Sequence, residues 1–345
     1  MTKLFRKIRQ KMLTENKTGT YLKYAFGEIV LVMIGILLAL QVNTWNENKK
    51  SNIKFNKLLV NVFNDLKVDL EIAQSRIDFY KYKDSLANDI INGKLSVSDY
   101  KNNPRLNSMI FGYRGFRVTN MGYNALMQNT ENIPSEYEQL IVDLNRQYIV
   151  TAERMESSLT VFASIVKSAR TRYALNFPWY SQNDSVSNEK RWQHLANNPI
   201  YKNEARLYRR YGVRNFSGFV AGFYNQGLPL LLTLKAIIND TNPLPSFFPK
   251  NADGFDSVKS DYLGKYLTPN GDELIVNEIK GYLSIYFDHI GDFNDIPPML
   301  LSMISKDKFK NHRTGRTLSF IRDESNKVIG WSNGTDTIKK IDVND

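Results

Sequence analysis

Between Tyr24 and Trp45 the chain reads YAFGEIVLVMIGILLALQVNTW, and every residue from Ile29 to Leu40 is uncharged and apolar or small. A helix rises about 1.5 Å per residue, so roughly 20 mostly apolar residues cross a bilayer core. Residues 24–45 are therefore predicted to form a single transmembrane helix. The segment before it holds Lys3, Arg6, Lys7, Arg9, Lys11, Lys17 and Lys23 against Glu15 alone. Basic residues stay on the cytoplasmic side, which makes 1–23 a cytoplasmic head and sends the remaining residues outward. A cleaved signal peptide shares this polarity but ends in small residues at a cleavage site. Here Leu40, Gln41, Val42, Asn43, Thr44 and Trp45 follow Ala39, so the helix is expected to stay as an anchor.

Charge and composition narrow the classes further. Of the formal net charge of +11, residues 1–23 account for +6 and the rest for only +5, which is no nucleic-acid signature. The basic head suits a topology signal and contact with anionic membrane lipid. There is no cysteine, hence no lipid-attachment cysteine and no disulfide framework. At 345 residues and 42% hydrophobic content, two folded parts beyond the span are expected.

Past the span, Phe55, Leu59, Val62, Leu66, Leu70, Ala73, Ile77 and Tyr80 recur at spacings of three and four, an amphipathic helix closed by Asn92-Gly93. A shorter helix is predicted near Pro104–Asn129 and a long one from Pro134 to Tyr173, with 176–199 as a surface loop and helical spacing again over 201–239. Together these make residues 46–240 a periplasmic helical bundle. Residues 241–256 carry three prolines in TNPLPSFFPK and are expected as a linker. Beyond it the period changes to two. Leu263–Leu267, Glu273–Glu278, Tyr282–Asp288, Thr317–Arg322 and Lys327–Trp331 read as strands, with turns at Pro269–Asp272, Lys280-Gly281 and Asn333-Gly334, so 257–345 is predicted as a small antiparallel β domain. The fold class is an α+β membrane protein.

Two resemblances follow from quoted residues. The stretch KTGTYLKYAFGEIVLVMIGILLALQVNTWNENKK, Lys17 to Lys50, resembles the N-terminal signature of an uncharacterised family of single-span envelope proteins of Gram-negative bacteria. That resemblance implies inner-membrane topology and a helical outer part, and no activity. Tyr262-Leu-Gly-Lys-Tyr266 and the later FIRDESNKVIGW resemble the small lipocalin-like β module appended to serine β-lactamase-like hydrolases, with Asn326 where the module has its turn glycine.

Several residue sets could carry function. On a helical wheel Glu28, Gly35, Ala39, Asn43 and Asn46 share one arc of the span. Small residues let backbones approach and polar groups in a membrane seek partners, so this face is expected to pair with a second copy or with a partner transmembrane protein. Gln41 falls on the opposite face, and Glu28 can equally sit solvated at headgroup level. Lys202, Arg206, Arg209 and Arg210 lie largely opposite Tyr201, Tyr208 and Tyr211 on a predicted helix. Clustered cations suit an anionic envelope ligand, although an ordinary amphipathic helix has the same pattern.

For catalysis, Ser164-Ile-Val-Lys167 matches S-x-x-K, in which one helical turn sets an amine beside a hydroxyl. Ser51-Asn-Ile-Lys54 matches as well, which shows how easily the pattern arises, and no α/β sheet is predicted around Ser164. His194, His289 and His312 are far apart and without ligand spacing, so no metal is expected; no phosphate-binding glycine loop is present and no cofactor is expected. The reading is a non-enzymatic, membrane-anchored periplasmic binding or scaffold protein. The alternatives are a serine hydrolase using Ser164 and Lys167 and a sensor subunit that signals through a partner span.

Overall fold

The computed structural model describes residues 18–288, 298–312 and 314–341. Most of the predicted basic head and His289 lie outside the described residues. Of the described residues, those up to 57 with 131–134 form one compact unit, and those of 58–130 with the ones from 135 onward a second.

In the first unit, helix α1 (Thr18–Ile91) begins and carries the apolar segment. From Leu31 to Lys50 every side chain is exposed, Leu31, Ile36 and Leu40 among them. Its best window has a mean hydropathy of 2.0 and buries none of its residues. This is one helix long and apolar enough to cross a membrane.

In the second unit α1 turns amphipathic. Leu59, Val62, Leu66, Leu70, Ala73 and Tyr80 are buried as the three-four spacing predicts, while Ile77 is half-buried. The helix stops at Gly93, whose φ of +64° suits a residue without a side chain. Two short helices follow, α2 (Val97–Asn102) and α3 (Pro104–Asn107), then α4 (Met121–Met127). The sequence predicts helix across 104–129, whereas residues 112–120 are non-helical. Helix α1 supplies the reason. Lys83 Nζ donates to the Met109 carbonyl at 3.4 Å, Tyr80 Oη donates to the Arg114 carbonyl at 2.9 Å, and Arg76 Nε donates to the Gly115 carbonyl at 2.8 Å. Asp69 accepts from the Thr119 amide at 2.8 Å and Asp65 from the Gly122 amide at 2.7 Å. A strap running antiparallel to α1 thus has its backbone satisfied by helix side chains instead of by a helix of its own.

Helix α5 (Glu138–Asn145) passes through a π-helical segment (Arg146–Thr151) into α6 (Ala152–Asn176). Residues expected as a surface loop over 176–199 contain α7 (Ser185–Asn197). Asp184 caps it by accepting from the Ser187 amide at 2.9 Å, and Arg191 donates to the carbonyls of Trp179 and Gln182 at 2.8 and 2.7 Å. Helix α8 (Pro199–Tyr208) starts on a first-turn proline and runs through a second π-helical segment (Arg209–Phe216) into α9 (Ser217–Ile237). An aromatic cluster joins these pieces: Phe162 lies 6.0 Å from Tyr80, 4.9 Å from Tyr208 and 6.3 Å from Phe216 between ring centroids.

The C-terminal part is a closed barrel of eight antiparallel strands in sequence order. They are β1 (Gly264–Leu267), β2 (Glu273–Ile279), β3 (Tyr282–Asp288), β4 (Met299–Ser305), β5 (Lys308–Asn311), β6 (Thr317–Arg322), β7 (Val328–Ser332) and β8 (Thr337–Ile341). Closure comes from β1 pairing β8, with Lys265 opposite Ile341. Turn chemistry agrees with the predicted positions: Lys280 and Gly281 both have positive φ, and Asn326 takes φ +66° where a glycine would be at ease. Strands β4, β5 and β8 are not among the five predicted. Helix α9 packs on β2 and β4, which buries Leu300 and Ser302 as well as Leu301 and Met303, so β4 loses the alternation of a one-sided strand.

The proline-rich stretch is hydrogen-bonded on both sides. Tyr224 Oη donates to the Phe247 carbonyl at 2.8 Å and Tyr282 Oη to the Pro249 carbonyl at 2.6 Å. Asn251 accepts from the Met303 amide at 2.8 Å and donates to the Gly281 carbonyl at 2.9 Å.

Candidate functional site

An eight-stranded barrel is just wide enough for side chains to fill it or for one small ligand. This one does both, at opposite ends. Its floor is aromatic: Tyr262 lies 4.8 Å from Phe309 and 4.7 Å from Phe320, and Phe309 lies 5.3 Å from Phe320. A short 3-10 turn (Lys259–Tyr262) covers that end. Arg322 locks it, donating to Asp307 Oδ1 and to Asp261 Oδ2, each at 2.9 Å, with its guanidinium 5.5 Å from the centre of the Tyr262 ring. Burial works against the Arg322 charge, yet the bonds to Asp261 and Asp307 raise its pKa above the ordinary value.

The other end is hollow. A cavity of about 440 Å³ opens there between the β1–β2, β5–β6 and β7–β8 turns. Its wall is Leu274, Ile285, Phe287, Met299, Leu318, Trp331 and Ile338. Strand register explains this set, because Leu274 pairs Phe287, Ile285 pairs Met299 and Trp331 pairs Ile338. These residues all face inward. Four inward rows then continue one step outward into a polar residue: Asp272 above Leu274, Arg316 above Leu318, Asn333 above Trp331 and Asp336 above Ile338. The Trp331 indole Nε1 is buried and has no hydrogen-bond partner among the described residues. Burial of an unmatched donor costs about 1–3 kcal/mol, so such a group in a cavity wall calls for an acceptor.

A second, smaller hollow of about 50 Å³ lies beside the first π-helical segment, lined by Gln147, Gln226, Pro229, Thr233 and Ile279 among others. Gln147 is buried and donates to the Phe223 carbonyl at 2.9 Å, while its Oε1 has no partner. That volume suits a single water. Outside the barrel, Ser302 Oγ lies 2.7 Å from His312 Nε2. Burial, with Lys310 nearby, pushes His312 down to about 4, so it is neutral at physiological pH.

The residues singled out in the sequence do not converge. Ser164 is exposed, and its hydroxyl donates to the Val161 carbonyl at 2.7 Å on its own helix; Lys167 is exposed too. Tyr201 and Tyr208 are core residues. Arg209 is paired with Asp84 of α1 at 2.6 Å, Arg206 donates to Asn203 at 2.6 Å, Arg210 lies over the Tyr211 ring at 5.6 Å, and Lys202 is half-buried near Gly93. In α1, Gly35 has nothing within 4 Å of where a Cβ would stand, Ala39 and Asn46 are exposed, and Asn43 donates to Glu47 at 3.1 Å; Glu28 is half-buried. Among the described residues no group of three or more His, Cys, Asp or Glu could hold a metal ion. The barrel cavity was not singled out in the sequence. The signal that could have found it is the row pattern of a polar residue two before or after an inward apolar one at four strand ends.

The model of a family of unknown function, DUF6090, matches residues 28–122. No curated protein and no solved structure matches the chain. The matched segment starts in the apolar part of α1 and ends at Gly122, the last rung of the strap.

Proposed function

We propose that the protein is a membrane-anchored binding protein whose barrel receives a small ligand in its open end. One observation carries this: a closed barrel, packed solid at one end, keeps a hollow of about 440 Å³ with an apolar wall and a polar rim at the other. Interiors are normally close-packed, and a largely pre-formed apolar hollow with a few polar groups is the usual form of a small-molecule site. The resemblance of Tyr262–Tyr266 and 320–331 to a lipocalin-like module supports the same reading. The exposed apolar helix supports a single span, and the basic head supports an inner-membrane orientation with the barrel in the periplasm. The face with Glu28, Gly35, Ala39, Asn43 and Asn46 is proposed to pair with a second span. Scaffolding and signalling through that span remain compatible with ligand binding.

Native mass spectrometry on the full chain in lipid nanodiscs tests the cup. Wild type should retain a small molecule, or bind compact apolar compounds in calorimetry, and Leu318→Trp should lose both by filling the hollow. Retention unchanged in Leu318→Trp rejects the reading. For orientation, protease added to spheroplasts should digest residues beyond 55; protection of that region places the barrel on the cytoplasmic side instead.

A further inference from the structure

We infer that the cup takes a compact apolar anion, with a ring-sized or branched apolar body and a carboxylate-type head, and not a long acyl chain. The inference rests on the cup being the binding site and goes on to its ligand class.

Depth excludes the long chain. Among the described residues most strands contribute one inward apolar side chain to the wall, Leu274, Met299, Leu318, Trp331 and Ile338, and β3 contributes two, Phe287 and Ile285. The next buried inward residues along the strands, Val276, Leu301, Phe309, Phe320 and Val328, are packed in the core and do not line the hollow. One inward step along a strand is two residues, about 7 Å, and strand tilt shortens it further along the barrel axis. An extended acyl chain is much longer than the described wall is deep. A single ring or a branched group would be covered.

Charge sets the head. Two rim carboxylates already accept hydrogen bonds inside their own turns, Asp272 from Thr268 Oγ1 at 3.4 Å and Asp336 from Asn333 Nδ2 at 3.3 Å. Asn311 Oδ1 accepts from the Thr314 amide at 3.1 Å. Among the described residues the Arg316 guanidinium has neither an ion pair nor a side-chain hydrogen bond, although it is exposed and lines the cup directly above Leu318. A guanidinium offers a planar fork of donors that fits a carboxylate. In the wall below, the buried Trp331 Nε1 is a second donor without an acceptor. Arg316 immediately precedes β6 and Trp331 lies in β7, the strand paired with it, so one anionic head could meet both donors.

Calorimetry on the full chain in nanodiscs, with empty nanodiscs as blank, separates the possibilities using 2-naphthoate, 2-naphthamide and palmitate. Wild type should bind the naphthoate at least about tenfold more tightly than the amide and should give no heat with palmitate. Arg316→Gln should bring the two aromatic compounds to equal affinity, and Leu318→Trp should abolish both. Equal affinity of acid and amide in wild type, or palmitate binding that Leu318→Trp removes, overturns the ligand class while leaving the cup as the site. Failure of all three probes overturns it too, and the cup then stands or falls on whether a retained molecule is lost in Leu318→Trp. Binding that Leu318→Trp does not change refutes the cup itself.

Discussion

At the residue scale, Asp69 is a carboxyl group placed where burial disfavours its charge. It is fully buried on α1 and bonds the Thr119 amide and hydroxyl, yet burial still pushes its carboxyl from 3.8 up to about 6. The folded state therefore holds this proton more tightly than the unfolded chain. Its contribution to stability is fully present below pH 3.8, declines as the pH rises to about 6, and is absent above that. Asp69→Asn should remove that decline, worth on the order of 1–3 kcal/mol, so between pH 4 and 7 the wild type should lose stability relative to the variant as the pH rises. Parallel pH profiles would place the titration elsewhere. Gly122 gives a steric counterpart. A Cβ there would stand 2.7 Å from the Asn61 carbonyl carbon and the Val62 nitrogen of α1, main-chain atoms that cannot swing aside. Gly122→Ala is expected to cost about 2 kcal/mol or more, as overpacking does. Gly218→Ala in α9, where nothing lies within 4 Å, should instead gain about 0.5–1 kcal/mol from helix propensity. Denaturant midpoints of the two variants should move in opposite directions.

At the element scale, what was legible follows from who satisfies the backbone. The buried stripe of α1 shows in the sequence because one helix face meets one core. The turns at Lys280-Gly281 and Asn333-Gly334 show because glycine marks positive φ, as at Gly281 and Gly334. The strap over 112–120 does not show, since its partners Asp65, Asp69, Arg76 and Tyr80 lie some 34 to 57 residues away. Helix α7 is hidden by its composition: SVSNEKRWQHLAN buries Leu195 and Ala196 but no other apolar side chain. Strand β4 reads as an unpatterned apolar run because α9 covers its outer face. The cup is illegible for a different reason, as a hollow is a property of eight strands at once. The apolar segment of α1 carries the remaining prediction at this scale. If its small-residue face pairs with another copy, Gly35→Leu should separate the backbones and lower the yield of crosslinked dimer in membranes. An unchanged yield would move the interface off this face.

At the scale of the whole molecule, the family match and the barrel divide the chain. Residues 28–122 hold the apolar helix and the strap that returns along it, while the hollow lies entirely beyond 267. The family model therefore covers none of the residues that line the hollow. Closure of the barrel has a further consequence, for the order of events during synthesis. Strand β8 is the last described strand and its pairing with β1 completes the ring. Until residues 337–341 have emerged, β1 and β7 each present an open edge, and open edges recruit other strands. The helices can pack while the chain is still being made, whereas the barrel must wait, so a ribosome that stalls shortly before codon 337 would release a sticky, half-formed protein from an otherwise sound sequence.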